Sequence, residues 1–173
     1  AVAGGDLHDL FEKRSMPGTA FTMVYAESDA RGHLIEGLRR GNVYVSSGPT
    51  VDLSVVGNEP PAHIGDEVEL LEGSTYALRL TAQHVGAGGY VRIFRGDNVL
   101  IEMPLSSTGD SHLTFRFLAE KEETCFRAEI YRYAKPRDRL LALTNPVYVG
   151  TRPHVVFRNA DESENPVEQD VEE

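Results

Sequence analysis

From Asn42 onward, apolar and polar positions alternate along short runs set apart by turn residues. Tyr76, Leu78, Leu80 and Ala82 alternate with Arg79, Thr81 and Gln83. In "HLTFRFLAE" the apolar set is Leu113, Phe115, Phe117 and Ala119; in "TCFRAEIYRYA" it is Phe126, Ala128 and Ile130. A strand sends successive side chains to opposite faces, so each run predicts a strand with one apolar face. In "YVRIFRGDNVLIEMPL" the pair Gly96-Asp97 separates two such runs, the signal of a two-residue hairpin, because Gly supplies the positive φ that primed turns require. "NVYVSSGPTVDLSVVGNE" holds two extended runs, broken at Ser46-Ser47-Gly48-Pro49 and ended by Gly57-Asn58. "DEVELLEG" adds a further run, and "RLLALTNPVYVG" closes the set with an expected turn at Asn145-Pro146. Seven or eight short strands of this kind predict a mainly β chain, an antiparallel Ig-like β-sandwich over residues 43–152. The chain has no Trp and a single Cys, so "Ig-like" names an architecture only.

Residues 1–42 follow another period. The opening residues 1–5 look like the end of a strand, and "TAFTMVYAE", 19–27, reads as extended. In "SDARGHLIEGLRRG", Leu34, Ile35 and Leu38 share one side at helical spacing, which predicts a helix over 29–40. Ser28 or Asp29 is the expected N-cap. Arg39 and Arg40 fall in the last turn, where cations suit the helix dipole, and Gly41 stands where a left-handed residue ends the helix.

Charge divides the chain unevenly. The net charge is −10, yet "DESENPVEQDVEE", 161–173, carries seven acids and no base. That leaves 20 acids against the chain's 17 bases, a net of −3 for the remainder. Residues 153–173 therefore read as an acidic, disordered tail. No Lys/Arg run stands out, which argues against nucleic acid or an anionic membrane as partner. No apolar stretch approaches the roughly 20 residues of a transmembrane helix. No signal peptide is visible, and a cytoplasmic setting is the expectation. Cys125 has no second thiol to pair with and sits in a strand-like run, so it reads as a structural thiol.

The first candidate chemistry lies at the front of the chain. In "AVAGGDLHDL", Asp6 and His8 are two residues apart, which on a strand aims a carboxylate and an imidazole the same way. Gly4 and Gly5 allow a close backbone approach to that point. This segment resembles the last metal-binding segment of PHP-type phosphoesterase domains, often Gly-Ser-Asp-x-His at the end of a barrel strand. The text after it resembles the CehA/McbA-like metallohydrolase branch, on Leu38, Arg39, Gly41, Tyr44, Val45, Gly48 and Pro49, and again on "LALTNPVYVG", 141–150. The resemblance covers about residues 1–150, with Gly5 where the family's serine usually stands.

The resemblance implies a hydrolase using divalent ions (Zn, Mn or Fe) to make hydroxide and stabilise phosphoryl charge. It implies that residues 1–42 are a strand-plus-helix remnant of the barrel, whose missing N-terminal portion is the expected partner. Only Asp6 and His8 carry over as metal ligands. Two ligands cannot hold a dinuclear centre, so this chain alone is expected to bind no catalytic metal and hydrolyse nothing. No catalytic residue is assigned. Ser46 and Ser47, beside Gly48-Pro49, either shape a substrate pocket or simply turn the chain into the sandwich. His33, His63, His84, His112 and His154 show no metal-ligand spacing and read as surface residues. "RYAKPRDR", 132–139, is a basic loop, either solvated or facing an acidic partner, and "HVGAGGY", 84–90, is a glycine-rich loop. The sandwich would be an accessory domain for substrate positioning or homo-oligomerisation. The alternatives are a stand-alone Ig-like binding module without catalysis, and a structural domain on which residues 1–40 pack as an ornament.

Overall fold

The computed structural model describes residues 2–3, 19–120 and 123–150. Among these residues, eight strands form one sheet and four the other, with apolar side chains between them. The chain is thus mainly β, a two-sheet sandwich, as the alternating runs predict.

The smaller sheet contains β3 (Thr50–Val56), β4 (Ala62–His63), β6 (Thr75–Gln83) and β9 (Ser111–Leu118), in the order β4-β3-β6-β9. The larger is centred on β10 (Thr124–Arg132). On one side β10 pairs with β7 (Gly89–Arg95), which pairs in turn with β8 (Asn98–Pro104) across the turn at Gly96-Asp97. On the other side it pairs with both β11 (Arg139–Thr144) and β12 (Val147–Val149). Beyond these lie β2 (Val43–Ser46) against β11, β5 (Glu67–Val68) against β12, and β1 (Phe21–Val24) at the edge against β2. The β5–β12 pair is parallel; the other ladders are antiparallel.

The alternating residues land where the pattern puts them. Leu78, Leu80, Ala82, Phe126, Ala128 and Ile130 are at most 1% exposed, and Leu53, Ile64, Ile93 and Val147 complete the centre of the core. Truncating a side chain buried this way leaves a cavity that costs about 2–5 kcal/mol.

Three expectations are corrected. Asn145-Pro146 is not a turn. β11 and β12 run on along the same flank of β10, with pairs Glu129↔Leu143 and Phe126↔Val147. Pro146 has no N–H to give the ladder, so the strand is interrupted there rather than reversed. "DEVELLEG" forms a strand only at Glu67–Val68. The helix α1 spans Arg31–Arg40 with Ala30 at its N-cap and no side-chain cap. Ser28 Oγ instead accepts from Ala30 N at 3.2 Å and contacts His33 Nδ1 at 2.8 Å. The C-terminus is as expected, with Gly41 left-handed at φ 79°.

The helix also buries a different face from the apolar one. Only Gly37 is buried, while Leu34 and Leu38 are 36% and 45% exposed. A Cβ on Gly37 would lie 2.5 Å from Tyr25 O and 2.7 Å from Val24 Cγ1, so α1 rests on β1 through backbone contact. The boundary expected at residue 42 falls between paired strands, because β1 and β2 share four register pairs, Phe21↔Ser46 to Val24↔Val43.

A set of polar contacts fixes this β1–α1 unit to the sandwich. Asn42 Nδ2 donates to Ile64 O and to Asp66 Oδ1, both at 2.8 Å. Asn145 Nδ2 donates to Gly41 O at 2.9 Å, and Tyr25 N to Asn42 O at 2.8 Å. At the centre, Gly65 has φ +88°, and a Cβ there would fall 2.3 Å from the carbonyl carbon and oxygen of Gly41. Gly65→Ala therefore combines a left-handed penalty with a backbone clash, and is expected to cost at least ~2 kcal/mol. Gly32→Ala, in α1 with no atom within 4 Å of the new methyl, is expected to stabilise by up to about 1 kcal/mol. Thermal melting of both variants checks the opposite signs.

Candidate functional site

Asp6 and His8 lie outside the described residues. The described residue preceding them in sequence is Ala3, whose N–H donates to Thr22 Oγ1 of β1 at 2.8 Å.

Ser46 and Ser47 are brought to the corner between β2 and β3, with their hydroxyls turned onto backbone. Ser46, 3% exposed, donates to Pro49 O at 2.5 Å and accepts from Gly48 N at 3.0 Å. Ser47 donates to Leu141 O at 3.1 Å. Both contacts hold the corner to its own backbone.

The junction beside β1 collects the densest chemistry. Tyr25 OH donates to Val51 O at 2.5 Å, and its ring meets that of Tyr44 at 5.9 Å. Burial, then the charge of Asp52, push the Tyr25 phenol far above the ordinary tyrosine range. Burial also raises Tyr44. Asp52 lies 3.3 Å from His63 Nδ1. The pair arises because β4 runs antiparallel to β3 with Ser54↔His63 in register, which sets Asp52 on the diagonal of His63. It can fix one imidazole tautomer and pass a proton. Of the hydroxyls beside it, Ser54 is 2% exposed, and half-buried Thr81 stands directly opposite Asp52 in the β3–β6 ladder.

His112 Nδ1 lies 3.3 Å from Thr81 Oγ1 on the outer face of the smaller sheet. Among the described residues, no group of three His, Cys, Asp or Glu side chains could hold a metal ion. No helix of the described residues is long and apolar enough to cross a membrane.

A second cluster covers the outer face of the larger sheet. On β7, Val91 and Ile93 enter the core, so Tyr90, Arg92 and Phe94 project outward. Tyr90 stacks on Tyr131 at 5.3 Å and on Tyr133 at 4.5 Å. The Arg92 guanidinium lies 5.4 Å from the Tyr90 ring and 5.1 Å from Tyr131, and bonds Glu102 at 2.6 Å. Tyr90 OH donates to Asp138 Oδ2 at 2.8 Å, and Ala134 N to Asp138 Oδ1 at 3.2 Å. The Tyr90 bond, followed by the Ala134 bond, holds the Asp138 carboxyl below its ordinary value. Tyr90 itself is pushed up to about 12, first by burial and then by that carboxylate. These groups satisfy one another, so the cluster anchors the β10–β11 loop.

Both clusters escape a reading of the sequence for opposite reasons. Asp52 and His63 are 11 residues apart with two prolines between, so only strand register joins them. Tyr90 and Arg92 occupy the non-core phase of an alternation, the signal that could have found them.

Where the two sheets end on one flank, a recess of about 310 Å³ opens between β8 and β9, lined by Leu78, Ile101, Phe115, Phe117 and Phe126 with Arg95.

No protein-family profile matches the chain, and no curated protein does. A solved structure to which it is similar is the solution NMR structure of the CARDB domain of PF1109 from Pyrococcus furiosus. The identity is 14% and the TM-score 0.33, over 59% of this chain and 95% of that one.

The raised phenols make an alkaline prediction. Tyr25, Tyr44, Tyr90 and Tyr131 stay protonated above pH ~10 in the folded chain, where free tyrosine ionises. A folded-state pKa above the unfolded one gives stability that is intact below pH ~10 and lost as pH rises through the folded value. Ultraviolet titration of phenolate should show delayed ionisation, with the lag lost in denaturant. In Tyr90→Phe, the Asp138 carboxyl should rise toward its ordinary value, as read by NMR titration.

Proposed function

We propose that this chain is the C-terminal part of a PHP-type metal-dependent phosphoesterase of the CehA/McbA-like branch, with the sandwich as its accessory domain. The observation that carries this reading, beside the sequence resemblance, is uncovered apolar surface on the β1–α1 unit. Phe21 and Met23 on β1 are 53% and 40% exposed, on a strand that among the described residues pairs only with β2. Leu34 and Leu38 on α1 are also open. A ten-residue helix is marginal by itself, and burial of its apolar side is what normally stabilises one. The polar junction to β3–β5 fixes the unit from behind, leaving this surface to be covered by the upstream barrel portion.

Such a protein would hold its ions with Asp6 and His8 together with ligands from upstream, because the described residues offer no cluster of three. Divalent ions so held supply hydroxide and neutralise phosphoryl charge. This chain's own contribution would be the seat for β1, whose Thr22 accepts from Ala3 N. The second reading, a binding module without catalysis, is favoured by the closed sandwich core, whose central side chains are at most 1% exposed without any upstream partner.

The 173-residue chain with added Mn²⁺, Zn²⁺ or Fe²⁺ is expected to leave a phosphodiester such as bis-p-nitrophenyl phosphate intact. The protein made from the gene's own initiation codon is expected to hydrolyse it, with Asp6→Ala losing at least about 10²-fold in kcat. An initiation codon directly before Ala1 would sink the proposal in favour of the binding module. The isolated chain should also self-associate through its open surface, and Phe21→Ser with Leu38→Ser should return it to monomer in sedimentation velocity.

A further inference from the structure

We propose that the acidic segment 161–173 docks on the β10–β11 hairpin loop of its own chain. The loop and its flanks, 132–139, hold four bases, Arg132, Lys135, Arg137 and Arg139, against one acid, Asp138. Asp138 keeps its charge, with its two oxygens bonded by Tyr90 OH and Ala134 N, so the loop and its flanks carry a net +3. The side chains of Lys135, Arg137 and Arg139 have no hydrogen-bond or ion-pair partner among the described residues. Arg132 and Arg139 stand directly opposite each other in the ladder, a like-charge pair that destabilises a sheet unless an anion offsets it. Arg132 turns to Val85 O at 2.7 Å, which satisfies a donor without neutralising its charge.

The loop is held in place before any partner arrives. Tyr133 stacks on Tyr90 at 4.5 Å, Asp138 ties the loop to the same tyrosine, and Tyr133 N donates to Gly88 O at 3.0 Å. Tyr133 remains 59% exposed beside the cations. A partner thus meets ordered positive charge around an open aromatic ring, which lowers the ordering cost of binding.

The chain carries a complementary segment within reach. Residues 161–173 hold seven acids and no base. Gly150 follows Val149, which pairs with Thr124 at the opposite end of β10 from the loop. Eight strand steps separate Thr124 from Arg132, about 26 Å. Ten residues, hence eleven Cα-to-Cα steps, join Gly150 to Asp161, and extended they span about 36 Å. Tethering at this range gives an effective concentration near the millimolar level, enough for a weak electrostatic contact to be populated.

The test compares two full-length ¹⁵N-labelled chains by NMR, one natural and one with the seven acids of 161–173 changed to their amides. At about 20 mM NaCl the amides of Tyr133–Arg139 should differ in shift between the two chains, and at about 500 mM the difference should vanish through screening. Lys135→Gln with Arg137→Gln should remove the difference at low salt while β6 amides stay unchanged. The difference should not vary with protein concentration. Coincident hairpin amides at low salt would overturn the proposal. So would a difference that grows with concentration, which would place the segment on a neighbouring copy.

Discussion

The seating of the β1–α1 unit depends on the approach of Gly65 to Gly41, where a single added methyl would fall 2.3 Å from a backbone carbonyl group. That approach sits where the β1–α1 unit, β4–β5 and the interrupted strand β11–β12 meet. Gly41 ends the helix, Asn42 bonds Ile64 and Asp66, and Asn145 bonds Gly41. Without side chains at positions 41 and 65, the two backbones approach closely enough for these amide bonds to form. The orientation of β1 relative to the sandwich follows from that contact, as does the position of Ala3 against Thr22.

The sandwich was legible because burial on one face writes a period of two into the sequence. Leu78, Leu80, Phe126 and Ile130 could be assigned to a core before any coordinates, and Gly96-Asp97 to a hairpin. The pieces that escaped lack that pattern. β4 and β5 are two residues long and exist through their partners β3 and β12. Asn145-Pro146 carries the residues of a turn, yet long-range pairing to β10 on either side holds the chain straight through it. In α1 the spacing of Leu34, Ile35 and Leu38 correctly announced a helix. It misled about burial, because Gly37 is the side that meets β1.

The site was less legible than the fold. Asp6 and His8 were singled out on local spacing and resemblance, and both fall outside the described residues. The Asp52–His63 pair and the Tyr90–Asp138 bond depend on strand register, which a linear reading does not supply. The serines of the β2–β3 corner illustrate the reverse case. Their chemistry left a pocket or a simple corner open, and the structure adds that Ser46 and Ser47 donate to backbone at Pro49 and Leu141.

The recess between β8 and β9 also means that both sheets of the described residues stop on the same flank, where each presents a strand edge with no partner among those residues. Val99 and Leu100 make β8 attractive to any foreign extended peptide. The strand limits such recruitment with its own composition. Pro104 offers no N–H to an incoming chain, and Glu102 sets a charge in mid-strand, the usual safeguards against open-ended stacking of domains into fibrils.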